Sequence, residues 1–361
     1  MGCICKSCGK NNNNTILIGL KKNNKLFELN SFLQCICHIQ PIVNKIKCNY
    51  NNIKDQKEFK ECMRNGKCLT ASFRVLIDKI FQDGSKMRIE SSEDILKMIY
   101  KIFPQYNENQ QLLINFFLMR LHTELNKAIN INQNNNLQMS DSDKIIAFKK
   151  YLKNFQEQNK SIISDYFFGT YYTSITCAFC KYNEFIFFPY IFGYYSINQV
   201  YLYKIITWKN GKNTLYSNKI INPYEINIYD CLNYDQQIKT SFQLCKKCGY
   251  TIIHYHQNFI FVTSTILSFI FNKNDYMPNN INFLIEENIN VNNFVEDKQI
   301  KNYELIGIIY YFYPNRYIAY SKNTTDKKWY CYEDESTSVK NNFQEVIANN
   351  YIPYMLFYKQ L

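Results

Sequence analysis

Two cysteine pairs, Cys177-Ala178-Phe179-Cys180 and Cys245-Lys246-Lys247-Cys248, constrain the fold of this chain more than any other feature. A Cys-x-x-Cys turn lets both thiolates point at one ion, and two such turns supply a closed tetrahedral sulfur shell of the kind zinc occupies. A shell of four thiolates leaves no open position, so such a site holds structure together and does no chemistry. Four reduced thiols without metal, or a redox pair, are the alternatives.

The compartment bears on that choice. The 14 cysteines sit in a chain with no visible secretory signal, so they read as reduced thiols and metal ligands inside the cell, cytoplasmic or nuclear, and not as a disulfide framework. Cys35, Cys37, Cys48, Cys62, Cys68, Cys231 and Cys331 lack a neighbouring partner and are expected to be buried or idle thiols. No membrane span is expected. The longest apolar run, Phe259 to Phe271, is broken by Thr263, Ser264, Thr265 and Ser268 and reads as buried strand.

With 361 residues, 46% of them hydrophobic and 17% aromatic, the chain can bury a full core. Lys plus Arg exceeds Asp plus Glu by 42 to 30, a formal charge of +12. The lysines are scattered and form no basic arm, so a diffuse solvated surface is expected over a nucleic-acid site. The opening Met1-Gly2-Cys3-Ile4-Cys5 has the look of a lipidated terminus, with acylation at Gly2 and at Cys3 or Cys5. Lys6 holds the place where that motif wants a hydroxyl, so an unmodified tail is the simpler expectation. Metal binding by Cys5 and Cys8 is the third.

Apolar residues at helical spacing predict helices over Phe27 to Ile39, Thr70 to Phe81, Ser92 to Ile102 and Asn109 to Ala128. The first should end before Pro41. The last carries a face of Leu112, Leu113, Phe116, Phe117, Leu121 and Leu125, with His122 expected to be partly exposed. Asn130 to Asp143 reads as a polar linker. From Tyr166 onward the pattern becomes short strands rich in Tyr, Phe and Ile. Helices followed by strands predict the α+β class.

Several blocks, in order, resemble the ubiquitin-specific proteases, the papain-like cysteine deubiquitinases. The stretch Gly19 to Gln34 lies without a gap over that family's Gly-Leu-x-Asn-Leu-Gly-Asn-Thr-Cys-Tyr-x-Asn-Ser-x-Leu-Gln, matching at Gly19, Leu20, Asn30, Ser31, Leu33 and Gln34. Leu118 to Leu125 is similar to the end of its second block, and Phe168-Gly169-Thr170 and Thr176-Cys177 to the lead-in of its zinc-bearing fingers. Tyr303-Glu304-Leu305-Ile306-Gly307, Trp329 to Asp334 and the strand Tyr351 to Tyr358 resemble its closing block.

The resemblance implies a papain-like fold with fingers, palm and thumb over residues 18–361, after a tail at 1–17. Its thumb would span about 18–160, its fingers about 165–265 and its palm about 266–361. It also implies a structural zinc on Cys177, Cys180, Cys245 and Cys248, and ubiquitin or a ubiquitin-like protein as partner.

The same overlay removes the chemistry. Phe27 falls on the nucleophilic cysteine, Arg316 on the histidine of Gly-His-Tyr, which reads Asn315-Arg316-Tyr317, and Glu333 on the orienting Asp or Asn. Lys22 falls on the oxyanion asparagine, with Asn23 beside it. The four histidines are His38, His122, His254 and His256, so none is available late in the chain. Arginine stays protonated and cannot act as a base. Cys35 and Cys37 lie roughly 12–15 Å further along the same helix.

These substitutions imply a pseudoenzyme that binds ubiquitin or serves as a scaffold. Phe27 would plug the thiolate pocket, and Arg316 and Glu333 would form an ion pair where imidazole met acid. The alternatives are an active thiol hydrolase working through an unrecognised site, and a module for RNA or a large complex.

Overall fold

The computed structural model describes residues 18–22, 27–48, 61, 68–81, 88–103, 110–128, 139–209, 222, 224–272, 281–296, 301–313, 316–323, 326–347 and 351–361. The expected N-terminal tail with Gly2, Cys3, Cys5 and Cys8, the thiol Cys62, and Asn23 and Asn315 lie outside these residues. The chain divides into two compact units, Met1–Asn126 with Ser161–Ile163 and Ile306–Asn349, and Lys127–Lys160 with Ser164–Leu305 and Asn350–Leu361.

The first unit is built on the helix Phe27–Cys37, in which every residue from Glu28 to Cys37 is buried. A helix buried all round must satisfy its polar groups inside the protein. Gln34 Nε2 donates to the Ile18 carbonyl at 2.9 Å, and Asn30 Nδ2 to that of Lys21 at 3.2 Å. Against this helix runs a sheet whose strands Arg316–Lys322, Trp329–Glu333 and Ser336–Lys340 follow one another antiparallel. The strand Asn302–Phe312 passes from the second unit into the first, where Gly307 to Phe312 pair with Ser321 back to Arg316.

The helix Gln40–Cys48 carries Pro41 in its first turn, where a missing N–H costs no helical hydrogen bond. Leu69–Ile80, Glu93–Ile102 and Gln110–Leu125 follow, close to the expected spans. Cys68 offers no cap for the second of these four. Glu124, from the last helix, accepts the backbone N–H groups of Leu69 and Thr70 at 3.0 and 2.7 Å and takes over that task.

The second unit packs the helix Lys144–Gln158 on a five-stranded sheet ordered Met139–Asp141, Asn183–Tyr190, Gly169–Cys177, Thr251–Val262 and Lys239–Leu244. Ala147, Tyr151, Tyr172 and Phe187 form the core between them. Asp143 starts the helix by accepting from Ile145 and Ile146. The strand Ile266–Phe271 pairs antiparallel with Pro353–Gln360 and parallel with Phe192–Tyr195.

Four local expectations are corrected here. Part of the expected linker, Met139–Asp141, is a strand, because pairing with Phe185 to Phe187 satisfies its backbone. The run Phe259 to Phe271 is two strands, broken where the Ser264 hydroxyl turns back to the Ile266 carbonyl and the Tyr303 hydroxyl donates to the Ser264 carbonyl. The β-rich half also holds the helices Ile197–Lys209 and Ile228–Asp235. His122 is buried, its Nδ1 2.7 Å from the Ser161 hydroxyl.

Candidate functional site

Phe27, Lys22, Arg316 and Glu333, which the sequence resemblance set over the family's catalytic positions, all fall in the first unit. Phe27 is the first residue of its helix, at the end where the dipole would stabilise a thiolate, and it is half-buried. Lys22 stands next to it, with its ammonium 5.8 Å from the centre of the Phe27 ring. The Lys22 backbone N–H donates to Glu335 Oε1 at 3.2 Å.

Arg316 opens its strand and Glu333 closes the next, and the Arg316 Nε donates to Glu333 Oε1 in an ion pair. The guanidinium also lies 5.3 Å over the ring of Phe312, its cross-strand partner. Both charged side chains remain partly exposed.

Tyr317 and Glu28 join these two regions. Glu28 follows Phe27, Tyr317 follows Arg316, and the Tyr317 hydroxyl donates to Glu28 Oε2 at 3.2 Å. Phe27 and Arg316 therefore flank a single buried hydrogen bond, although they are far apart in sequence.

The turn between Glu333 and Ser336 is held tightly against the chain near Lys22. Asp334 takes a left-handed φ of 49°, and its carbonyl accepts the Leu20 N–H at 2.9 Å. A Cβ on Gly19 would come within 2.3 Å of the Glu335 carbonyl oxygen, so this strand can approach the turn only as glycine. Burial raises the Asp334 carboxyl above its ordinary value, with Lys22 pulling the other way.

The two thiols further along this helix, Cys35 and Cys37, are buried. Burial pushes Cys35 up to about 12, against a smaller lowering by the Ser321 hydroxyl, and its Sγ donates to the Tyr320 carbonyl at 3.9 Å. Burial raises Cys37 as well. His38 is held between the Gln34 carbonyl, 2.6 Å from Nδ1, and the Tyr332 hydroxyl, 2.9 Å from Nε2.

The four cysteines meet in the second unit. Their sulfur atoms all lie within 4.8 Å of one another, with Cys177 4.0 Å from Cys248 and Cys180 3.6 Å from Cys245. A tetrahedral zinc with bonds of about 2.3 Å sets its sulfurs about 3.8 Å apart, so this donor set fits the ion.

The two turns are built alike. The N–H of Lys181 donates to the Cys177 carbonyl at 3.1 Å, and that of Gly249 to the Cys245 carbonyl at 3.0 Å. Cys177 and Cys245 in turn donate to the carbonyls of Tyr182 and Tyr250. Lys181 and Gly249, one residue past each pair, have φ of 58° and 72°. Gly249 was a legible signal of this turn, whereas Lys181 was not. The Cys248 backbone N–H holds the Cys245 thiol down at about 5, whereas burial and the neighbouring thiols push Cys248 up to about 11.

No curated protein matches the sequence significantly. Among solved structures, a yeast SAGA DUB module with a mutant Sgf73 is similar over 95% of this chain and 68% of its own, at 16% identity and a TM-score of 0.62. A SAGA DUB module of Ubp8, Sgf11, Sus1 and Sgf73 bound to monoubiquitin is similar over 95% and 69%, at 17% identity and a TM-score of 0.61. Among the described residues no helix is long and apolar enough to cross a membrane. Residues 27–358 match the ubiquitin carboxyl-terminal hydrolase family, so the chain belongs to that family and has its papain-like α+β fold.

Proposed function

We propose that the chain is an inactive deubiquitinase-like domain, which holds ubiquitin or a ubiquitin-like protein, or scaffolds an assembly around it, without cleaving it. One observation carries the reading: the helix that should present a thiolate at its N-terminus begins with Phe27, under the ammonium of Lys22. The ion pair of Arg316 with Glu333 supports it, because a guanidinium held by a carboxylate takes up no proton. A similar fold bound to monoubiquitin supports the choice of partner. Cys177, Cys180, Cys245 and Cys248 would hold one structural zinc ion, and reduced thiols suit a cytoplasmic or nuclear protein.

Losing a single member of a catalytic unit can cost several powers of ten in rate, and here nucleophile, base and orienting acid have all changed. The test pairs calorimetric titration of ubiquitin with exposure to ubiquitin bearing an electrophilic C-terminus. Saturable heat with no labelled cysteine is expected. A cysteine labelled by the probe, or measured turnover of a ubiquitin–fluorophore substrate, overturns the reading of inactivity. Titrations of ubiquitin and its relatives that give no heat leave only the scaffold.

A further inference from the structure

The strand Thr251–Val262 starts just past the second cysteine turn and touches both turns. The Ile253 carbonyl accepts the N–H of Ala178, inside the first turn, at 2.9 Å. The next residue, His254, lies opposite Cys177 on one neighbouring strand and opposite Ser241 on the other. Residues paired in this way share a face of the sheet, so the imidazole and the first cysteine stand on the same side. His254 is only 4% exposed, as deeply placed as Cys177 at 0% and Cys245 at 2%.

A buried imidazole is costly unless its ring nitrogens find partners. Nδ1 lies 2.9 Å from the carbonyl of Ile252, two residues back along the same strand. A carbonyl only accepts, so Nδ1 is the donor of that bond. The bond turns the side chain back toward Thr251, where the strand leaves the Cys245–Cys248 turn. There the ring also hydrogen-bonds the Cys245 sulfur. This contact sets apart two turns that are otherwise built alike. The sulfurs of Cys180 and Cys248 take the backbone N–H groups of Tyr182 and Tyr250. That of Cys245 takes the backbone N–H groups of Cys248 and Lys247, and the imidazole as well. Four thiolates around a divalent ion leave an excess of negative charge on sulfur, and hydrogen bonds spread it. Partners behind the ligands also fix each ligand's direction, and losing one typically weakens metal binding by about 10–100-fold.

We propose that His254 is a positioning residue of this metal centre: anchored on the Ile252 carbonyl, its ring holds the Cys245 sulfur in the direction the ion requires. The inference rests on the zinc assignment made above. It is independent of the reading of inactivity and of ubiquitin binding.

The test compares the full chain with two variants. His254→Phe keeps a planar ring and removes both nitrogens, and His254→Gln keeps a group that can hydrogen-bond. Should His254→Phe fail to fold, His254→Leu takes its place. Zinc affinity is read by competition with a chromogenic chelator. Cadmium loaded in place of zinc gives an NMR resonance that responds to hydrogen bonds on the sulfurs, which a lesion in folding alone would not move. The wild type is expected to bind one ion per chain with a single cadmium resonance. His254→Phe is expected to shift that resonance and to lose about 10–100-fold in zinc affinity, while His254→Gln stays close to the wild type in both. An unshifted resonance or an unchanged affinity in His254→Phe overturns the proposal. So does a His254→Gln protein as weak as His254→Phe, because the shape of the ring and not its hydrogen bond would then matter. A wild-type protein that takes up neither metal overturns the zinc assignment and this inference with it, whereas a loaded wild type with indistinguishable variants overturns this inference alone.

Discussion

The Glu28 carboxylate and the Tyr317 hydroxyl meet at 3.2 Å inside the first unit, where both residues are almost fully buried. A buried carboxylate is costly without donors, so this contact ties the start of the buried helix to the start of the strand that begins with Arg316. Tyr317→Phe removes the donor and keeps the ring. It should destabilise the protein by about 1–3 kcal/mol, read from urea unfolding. A double-mutant cycle with Glu28→Gln should show that the two changes are not additive. Additive effects would mean that the two groups do not act as a pair.

The ion pair of Arg316 with Glu333 should matter far less for stability. The two side chains are 57% and 38% exposed, so solvent and salt screen the attraction. Arg316→Ala should cost under about 1 kcal/mol, and that cost should shrink further as salt is added. A loss of several kcal/mol would show that the pair is a structural lock.

Restoring the thiol alone should not restore the enzyme. Phe27→Cys would place a cysteine at the helix N-terminus while Arg316 stays paired with Glu333. A ubiquitin–fluorophore substrate should therefore stay intact in that variant, and measured turnover would contradict the account of the site.

Gly19 should tolerate no side chain. Its strand lies so close to the Asp334–Glu335 turn that a methyl group would overlap the Glu335 backbone, which cannot swing aside as a flexible side chain would. Gly19→Ala is expected to lower stability by about 1–3 kcal/mol, or to displace the turn. A thermal midpoint equal to that of the wild type would show that the turn yields freely.

Stability should fall as the solution is acidified past the ordinary histidine value of 6.5. Burial lowers the pKa of His38 in the folded protein, so folding favours the neutral ring. A group depressed in this way contributes fully above 6.5, and its contribution is lost as pH falls through that value and the unfolded chain takes up the proton. His256 shifts in the same direction, for burial and the neighbouring His254. Comparing His38→Gln with the wild type across this range should isolate the share of His38, and parallel curves would remove it.

The four-cysteine cluster should bind one zinc per chain, measured by atomic emission. Cys245→Ser should abolish binding, and a chelator should lower the thermal midpoint of the wild type but not that of the variant. Wild-type protein purified without metal, and unaffected by chelator, would leave four thiols and no ion.

Part of this was legible in the chain itself. Periodicity marked the helices near Leu69, Glu93 and Gln110, because each buries a face at a spacing that only a helix satisfies, and apolar spacing also marked the helix at Phe27, which is buried all round. Helix Ile197–Lys209 escaped that reading. Its Tyr, Ile, Thr and Trp residues suit strands and lie on every side, so no polar face betrays the period. Helix Ile228–Asp235 had a readable start in the reciprocal cap of Asn227 and Asp230, set inside a stretch whose composition argued for strands.

By itself, the sequence determined which residues are present: Phe27, Arg316 and Glu333 in blocks that resemble a cysteine protease, and two Cys-x-x-Cys words that can share an ion. Only the tertiary structure decided what surrounds them. It buried Cys35, Cys37 and His122, joined Glu28 to Tyr317, pressed Gly19 against a turn, and left Phe242 and Leu244 open on a sheet. The reason is physical: periodicity records which side of an element is apolar, whereas burial and hydrogen bonding depend on segments that meet only after the chain has folded.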